Sequence, residues 1–112
     1  MPVLRVSEKK SRRSLARSTW WSRADGARTV SLGQHNWAVL REGLAGIVEV
    51  SEEHIKEAVR LLFSLANLKV EPTGALSIGA LLTEPERFGN RSVCCVVSGG
   101  NVDPGIYREI LA

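Results

Sequence analysis

The residues best placed to do chemistry are Ser98-Gly99-Gly100-Asn101, which follow the apolar run Val93-Cys94-Cys95-Val96-Val97 and precede Val102-Asp103-Pro104. A continuous run rich in β-branched residues reads as a strand buried on both faces, as in a parallel sheet covered by helices. Two glycines let the backbone turn sharply and approach a ligand closely. Asp103-Pro104 reads as a helix cap with proline at the first helical position. In open α/β sheets ligands gather at the carboxyl ends of strands, where this loop would lie. A strand, two glycines and a helix also make an ordinary structural turn, so the loop alone leaves both readings open. The other reactive side chains point nowhere specific. His35 and His54 have no partners at metal or triad spacing and read as surface residues, so no metal site is expected. Cys94 and Cys95 would project to opposite faces of a strand, where they neither bridge readily nor bind a metal, and they read as core filler. Lys56 and Lys69 read as solvated charges.

The elements that must position the loop follow from periodicity and caps. Asn36 to Leu44 reads as a short helix capped by Asn36 and stopped by Gly43. Ile47-Val48-Glu49-Val50 is a short strand. Ser51 caps a helix running to about Asn67, with Glu52 and Glu53 favourably placed in its first turn. Ile55, Ala58, Val59, Leu62, Leu65 and Ala66 form its buried stripe at three- and four-residue spacing. Lys69-Val70 leads into Glu71-Pro72-Thr73-Gly74-Ala75 and a small-residue helix to about Leu82. Gly74, Ala75, Gly79 and Ala80 suit that helix to close packing. Residues 83–91 read as a loop, Val93–Val97 as the last strand and Pro104–Leu111 as the closing helix. The order α-β-α-α-β-α is that of an α/β domain.

The chain has 112 residues, enough for one small domain, and its net charge of +3 conceals a split. Arg5, Lys9, Lys10, Arg12, Arg13, Arg17 and Arg23 face a single acid, Glu8, within residues 1–23, while the remainder is net acidic. A basic, Ser/Arg-rich leader can touch nucleic acid or an anionic membrane by charge attraction, and it resembles organelle transit peptides in composition. It lacks an apolar face and any nucleic-acid motif, and reads as a disordered leader that buries no core. Residues 24–112 then form the folded part. No stretch is long and apolar enough for a membrane span, and nothing indicates an oxidising compartment, so a cytoplasmic location is expected.

From Ala24 to Leu111 the chain resembles the carboxyl-terminal part of the threonine dehydratase and serine racemase family, pyridoxal-phosphate enzymes of the tryptophan synthase beta-like class known as fold type II. The resemblance is carried by Ala24-Asp25-Gly26, Ser31-Leu32-Gly33 with Asn36-Trp37, Val48-Glu49-Val50-Ser51-Glu52-Glu53, Val70-Glu71-Pro72-Thr73-Gly74-Ala75 and Ser98-Gly99-Gly100-Asn101-Val102-Asp103, all in family order. These motifs leave residues 1–23 outside the resemblance. The resemblance implies an α/β fold, here part of a three-layer, doubly wound domain. It implies pyridoxal 5'-phosphate as cofactor and an amino acid as substrate, with Ser98 bonding the pyridine nitrogen. Gly99, Gly100 and Asn101 would complete the loop, Glu71 would stand near the cofactor, and Asp25-Gly26 would lie near the junction with a smaller domain. A neutral hydroxyl does not hold the ring nitrogen protonated, so the ring is a weaker electron sink and β-elimination is favoured.

The resemblance also implies parts that the sequence does not show. The family uses a Schiff-base lysine, a Ser-x-Gly-Asn-His type loop for the substrate carboxylate and a glycine-rich phosphate loop. None of Lys9, Lys10, Lys56 and Lys69 stands in the Schiff-base setting, so the chain is expected to hold one wall of a cofactor site and no catalytic residue of its own. Three readings follow. The chain is a fragment of a serine/threonine dehydratase, inactive alone and prone to self-association, or a fragment of a serine racemase-type isomerase. Otherwise it is a stand-alone binding module that keeps the half-domain fold. No specific nucleic-acid or membrane partner is expected.

Overall fold

The structure is a computed structural model that describes residues 23–27 and 33–112. The expected leader, apart from Arg23, and the Ser31-Leu32 part of one motif lie outside the described residues. Arg23 is itself tied to the folded part: its backbone N–H donates to Glu52 Oε2 at 3.2 Å and its guanidinium pairs with Glu109 at 3.1 Å.

Five α-helices are described: α1 Gln34–Gly43, α2 Glu52–Ala66, α3 Leu76–Thr83, α4 Pro85–Phe88 and α5 Pro104–Leu111. Short 3-10 turns occupy Asp25–Ala27 and Thr73–Ala75, the second leading directly into α3. The expected order of helices is therefore present, with two differences. α1 begins two residues earlier than Asn36, capped by Gly33 without a side-chain bond, so Asn36 lies inside the first turn. α4 is a single turn inside the expected loop at 83–91, started by a proline at its first position.

α2 is the central element because both its ends are closed by local chemistry. Ser51 Oγ accepts the His54 N–H at 3.2 Å, satisfying one of the free donors of the first turn. Asn67 adopts the left-handed conformation at φ 55°, and the Leu68 N–H returns to Leu62 O at 2.9 Å, a Schellman-type stop. Between these caps Ile55, Ala58, Val59 and Leu62 are buried. The expected stripe stops there: Leu65 is 77% exposed, while Phe63 in the same last turn meets Tyr107 of α5 edge to face at a ring-centroid distance of 6.1 Å.

α3 lies across α2, and its small residues permit the close approach the sequence suggests. A Cβ on Gly79 would stand 2.7 Å from Val50 Cγ1, just before α2, and at ordinary contact distance, 3.5 Å, from His54 O within it, so a larger residue there would have to displace Val50. α5 packs on α2 through Ile110, whose carbonyl accepts from Arg60 Nε at 2.7 Å. Asp103 Oδ1 caps α5 by accepting the Gly105 and Ile106 N–H groups at 2.8 and 3.0 Å. The core is Ala58, Val59, Leu62, Val70, Ala75 and Ile110, with Ile78, Leu82, Val97 and Tyr107 around it.

The two expected strands differ from the sequence reading. No strand is assigned among the described residues, and Ile47–Val50 and Val93–Val97 run as non-helical chain. Val48 is buried, but Val93 and Val96 are 42% and 68% exposed and Cys94 is exposed. Burial on both faces is thus not reached at Val93–Val97. A ladder needs a neighbouring strand for its N–H and C=O groups. The described residues offer this run one hydroxyl, Ser77 Oγ donating to Val96 O at 2.7 Å.

Candidate functional site

The apolar run ends at a loop registered residue by residue against the segment that precedes α3. The Ser98 N–H donates to Gly74 O at 3.4 Å, and the Glu71 N–H donates to Gly99 O at 3.0 Å. Gly74 is so close that a Cβ there would collide with Ser98 O. Gly99 holds φ +67°, in the left-handed region, and a Cβ on it would run into the Glu71 carboxylate. A Cβ on Gly100 would stand 2.9 Å from Lys69 O. Close backbone approach thus favours glycine at Gly74 and Gly100, and the left-handed conformation under the Glu71 side chain favours it at Gly99. The Val102 N–H returns to Gly100 O at 3.1 Å and completes the turn toward Asp103 and α5.

The structure thus brings Glu71 together with Ser98, Gly99 and Gly100. Glu71 is half-buried with its carboxylate laid over Gly99, whereas Ser98 and Asn101 are exposed. Neither the Ser98 hydroxyl nor the Asn101 amide makes a hydrogen bond among the described residues. The Ser98 hydroxyl is a neutral group free to donate or accept, beside two residues without side chains. That arrangement fits the edge of a planar heteroaromatic ring carrying a nitrogen.

Two contacts around this wall have little sequence signal. Thr73 Oγ1 accepts the Gly26 N–H at 3.0 Å, which places the Ala24-Asp25-Gly26 turn beside the wall. A threonine in the first turn after Pro72 hints at capping, but the donor comes from 47 residues away. His54, read as a surface residue, is half-buried with Nδ1 2.9 Å from Thr83 Oγ1, and Thr83 in turn donates to Gly79 O at 2.8 Å. This ties the start of α2 to the end of α3.

The cysteines correct the core-filler reading. Cys94 is exposed, and Cys95 is half-buried with its thiol 4.0 Å from Ser77 O. Burial, then the neighbouring Cys94, push the Cys95 thiol pKa up. Their exposure has the same cause as that of Val93 and Val96: no second layer covers the run among the described residues.

Lys56 pairs with Glu53 at 2.8 Å on α2, and the exposed Lys69 lines a shallow cleft of about 430 Å³ with Pro104, Tyr107, Arg108, Leu111 and Ala112. That cleft contains none of the loop residues. No group of three or more potential metal ligands occurs among the described residues. No described helix is long and apolar enough to cross a membrane.

Comparison with known proteins bears on the fold and the family. The chain is 38% identical over 88 residues to an L-threo-3-hydroxyaspartate ammonia-lyase of Pseudomonas sp, covering 79% of this chain and 28% of that protein. It is 34% identical over 89 residues to the serine racemase of Schizosaccharomyces pombe, covering 80% and 28%. Among solved structures, the threonine deaminase of T.th. superposes with a TM-score of 0.66 at 43% identity, over 78% of this chain and 31% of that one. Maize serine racemase superposes with a TM-score of 0.69 at 29% identity, over 80% and 28%. The chain spans a little over a quarter of the length of the curated relatives it matches, here 28%. Its fold is part of the α/β fold type II architecture of these enzymes, which rely on pyridoxal phosphate. The family described as "Pyridoxal-phosphate dependent enzyme" matches residues 4–99 and so takes in most of the basic leader that the motifs leave out. With its glycine loop, its overlying glutamate and relatives on both counts, the chain belongs to the family of pyridoxal-phosphate dependent enzymes.

Proposed function

We propose that this chain is one wall of the cofactor site of a serine/threonine dehydratase, an ammonia-lyase that converts a hydroxy amino acid into a 2-oxo acid and ammonia. The observation that carries the reading is the unpartnered Ser98 hydroxyl, held at the end of the apolar run beside Gly99 and Gly100. Pyridoxal phosphate, when bound, supplies the electron sink that weakens bonds at the α-carbon of an amino acid. Ser98 would bond the ring nitrogen, and as a neutral group it leaves that nitrogen unprotonated. Gly99, Gly100 and Asn101 would form the loop edge against the ring. Glu71 supports the loop through its backbone bond to Gly99 and covers the loop with its carboxylate.

The described lysines, Lys56 and Lys69, do not fit the Schiff-base role: one is paired on α2 and the other lines the separate cleft. The chain is accordingly read as carrying the wall and no catalytic residue, and as inactive alone. The racemase reading stands beside the dehydratase one because the relatives include serine racemases. The exposed Val93 and Val96 favour self-association. Two adjacent thiols that cannot readily bridge suit a reducing, cytoplasmic setting. Replacing Ser98 within a complete relative that carries this segment tests the reading: cofactor affinity and turnover should both fall. Unchanged affinity and turnover would reduce the loop to a turn.

A further inference from the structure

We propose that Thr73 is a positioning residue, whose hydroxyl oxygen caps the Asp25–Ala27 turn from across the chain and holds it against the wall made by Glu71 and the Ser98–Gly100 loop. This rests on the reading of that wall as one side of the cofactor site.

The first N–H groups of any helical turn lack an acceptor within the turn. In Asp25–Ala27 the Ala27 N–H returns to Ala24 O at 3.0 Å, which leaves the Gly26 N–H to be satisfied from outside. Thr73 Oγ1 accepts it at 3.0 Å. The fit is steric as well as polar. A Cβ on Gly26 would stand 3.0 Å from Thr73 Cγ2 and 3.2 Å from Oγ1, so the threonine side chain is seated directly on the Gly26 backbone.

The turn is fixed on its other side too. Ala24 is fully buried, and Arg23 reaches Glu52 at the start of α2 and Glu109 on α5. Thr73 is the point where this strap meets the wall. Its carbonyl accepts the Leu76 N–H that closes the Thr73–Ala75 turn. Its neighbour Gly74 is pressed against Ser98 O while accepting the Ser98 N–H at 3.4 Å. A shift of Thr73 is passed through Gly74 to Ser98 because there is no free space between them to absorb it.

The test uses the full chain, labelled with nitrogen-15, as wild type, Thr73→Val and Thr73→Ser. Valine matches the shape of threonine and lacks the acceptor, whereas serine keeps it. Two quantities are read: hydrogen exchange at the Gly26 amide, and the concentration of pyridoxine, the ring without the phosphate this wall does not hold, that half-saturates shifts at the Gly99 and Gly100 amides. Thr73→Val should speed Gly26 exchange roughly three- to tenfold, the worth of one hydrogen bond. It should raise the half-saturating concentration by a similar factor while exchange protection in α2 stays unchanged. Thr73→Ser should restore both. Unchanged Gly26 exchange in Thr73→Val overturns the cap. Faster Gly26 exchange with unaltered half-saturation overturns the positioning role. Collapse of α2 protection along with Gly26 also overturns it, since Thr73 would then support the whole fold and not this turn. Wild-type loop amides that ignore the probe overturn the reading of the wall, and the exchange arm still judges the cap.

Discussion

Ser98 and the two cysteines sit within five residues of one another, and their surroundings make opposite demands. The Ser98 hydroxyl has no partner among the described residues, so Ser98→Ala should leave thermal stability nearly unchanged. In a complete relative carrying this segment it should weaken cofactor affinity about threefold to tenfold, as expected for one neutral hydrogen bond. Ser98→Asp should lower elimination further, because a carboxylate favours the protonated ring. Spectroscopic titration of the cofactor and ammonia release check both. The thiols make a second residue-scale case. Cys94 is exposed, whereas Cys95 is half-buried and its thiol pKa is raised by burial. The reactive species is the thiolate, so at any pH below its raised pKa Cys95 carries less of it than an ordinary thiol. Iodoacetamide should therefore modify Cys94 first, and labelling of Cys95 should keep accelerating as pH rises beyond the ordinary thiol range. Mass spectrometry of a time course settles the order, and faster labelling of Cys95 would overturn it. The same shift favours the folded state below the ordinary thiol pKa, and that contribution is lost as pH rises through the raised one.

At the scale of elements, caps decide what holds and what was legible. Ser51→Ala removes the side-chain acceptor for the His54 N–H and should cost about 1 kcal/mol of stability, measured by urea denaturation. Ser51→Asp should largely retain it, since aspartate caps equally well. A loss below a few tenths of a kcal/mol in the alanine variant would mean that packing alone holds the end of α2. α2 and α5 were readable because Ser51, Asn67 and Asp103 act on residues a few positions away, information the sequence carries locally. The glycine loop was readable for the same reason, although its register against Glu71 and Gly74 was not. α4 was missed because one turn leaves no periodicity, though Glu84-Pro85-Glu86 holds the proline that starts it. Val93–Val97 was misjudged for the opposite reason. Its composition describes the layer a strand expects to meet, and burial depends on partners the described residues do not include. The Thr73–Gly26 bond was not legible because Thr73 hints only at a local cap, and nothing near it says that the donor lies 47 residues away.

For the molecule as a whole, the exposed apolar surface sets the expectation. Val96 at 68%, Val93 at 42%, Val39 at 74% and Trp37 at 48% exposure leave part of the apolar run and much of α1 without cover among the described residues. Light scattering on the isolated chain should show concentration-dependent association, and the chain should release no ammonia from L-serine or L-threonine. A monomer with one cooperative thermal transition would favour the self-sufficient module, and stoichiometric ammonia release would overturn the one-wall reading. Mixing with a complementary portion of a relative should suppress association if the apolar run is the surface responsible.

The bonds that hold the strap differ from those of the helices in how far apart their partners are made. Ser51 and His54 are 3 residues apart, whereas Gly26 waits 47 residues for Thr73 and Arg23 waits 86 for Glu109. Closing a longer loop costs more chain entropy, though only logarithmically. The larger effect is one of order. A growing polypeptide can finish α2 with both caps once Leu68 has emerged. Its loop does not exist until Gly100 does, and the strap is not locked until Glu109 is in place. Translation that stopped at Arg91 would leave a chain with both caps of its longest helix in place, but without α5 to pack on it and without a surface able to meet a cofactor ring.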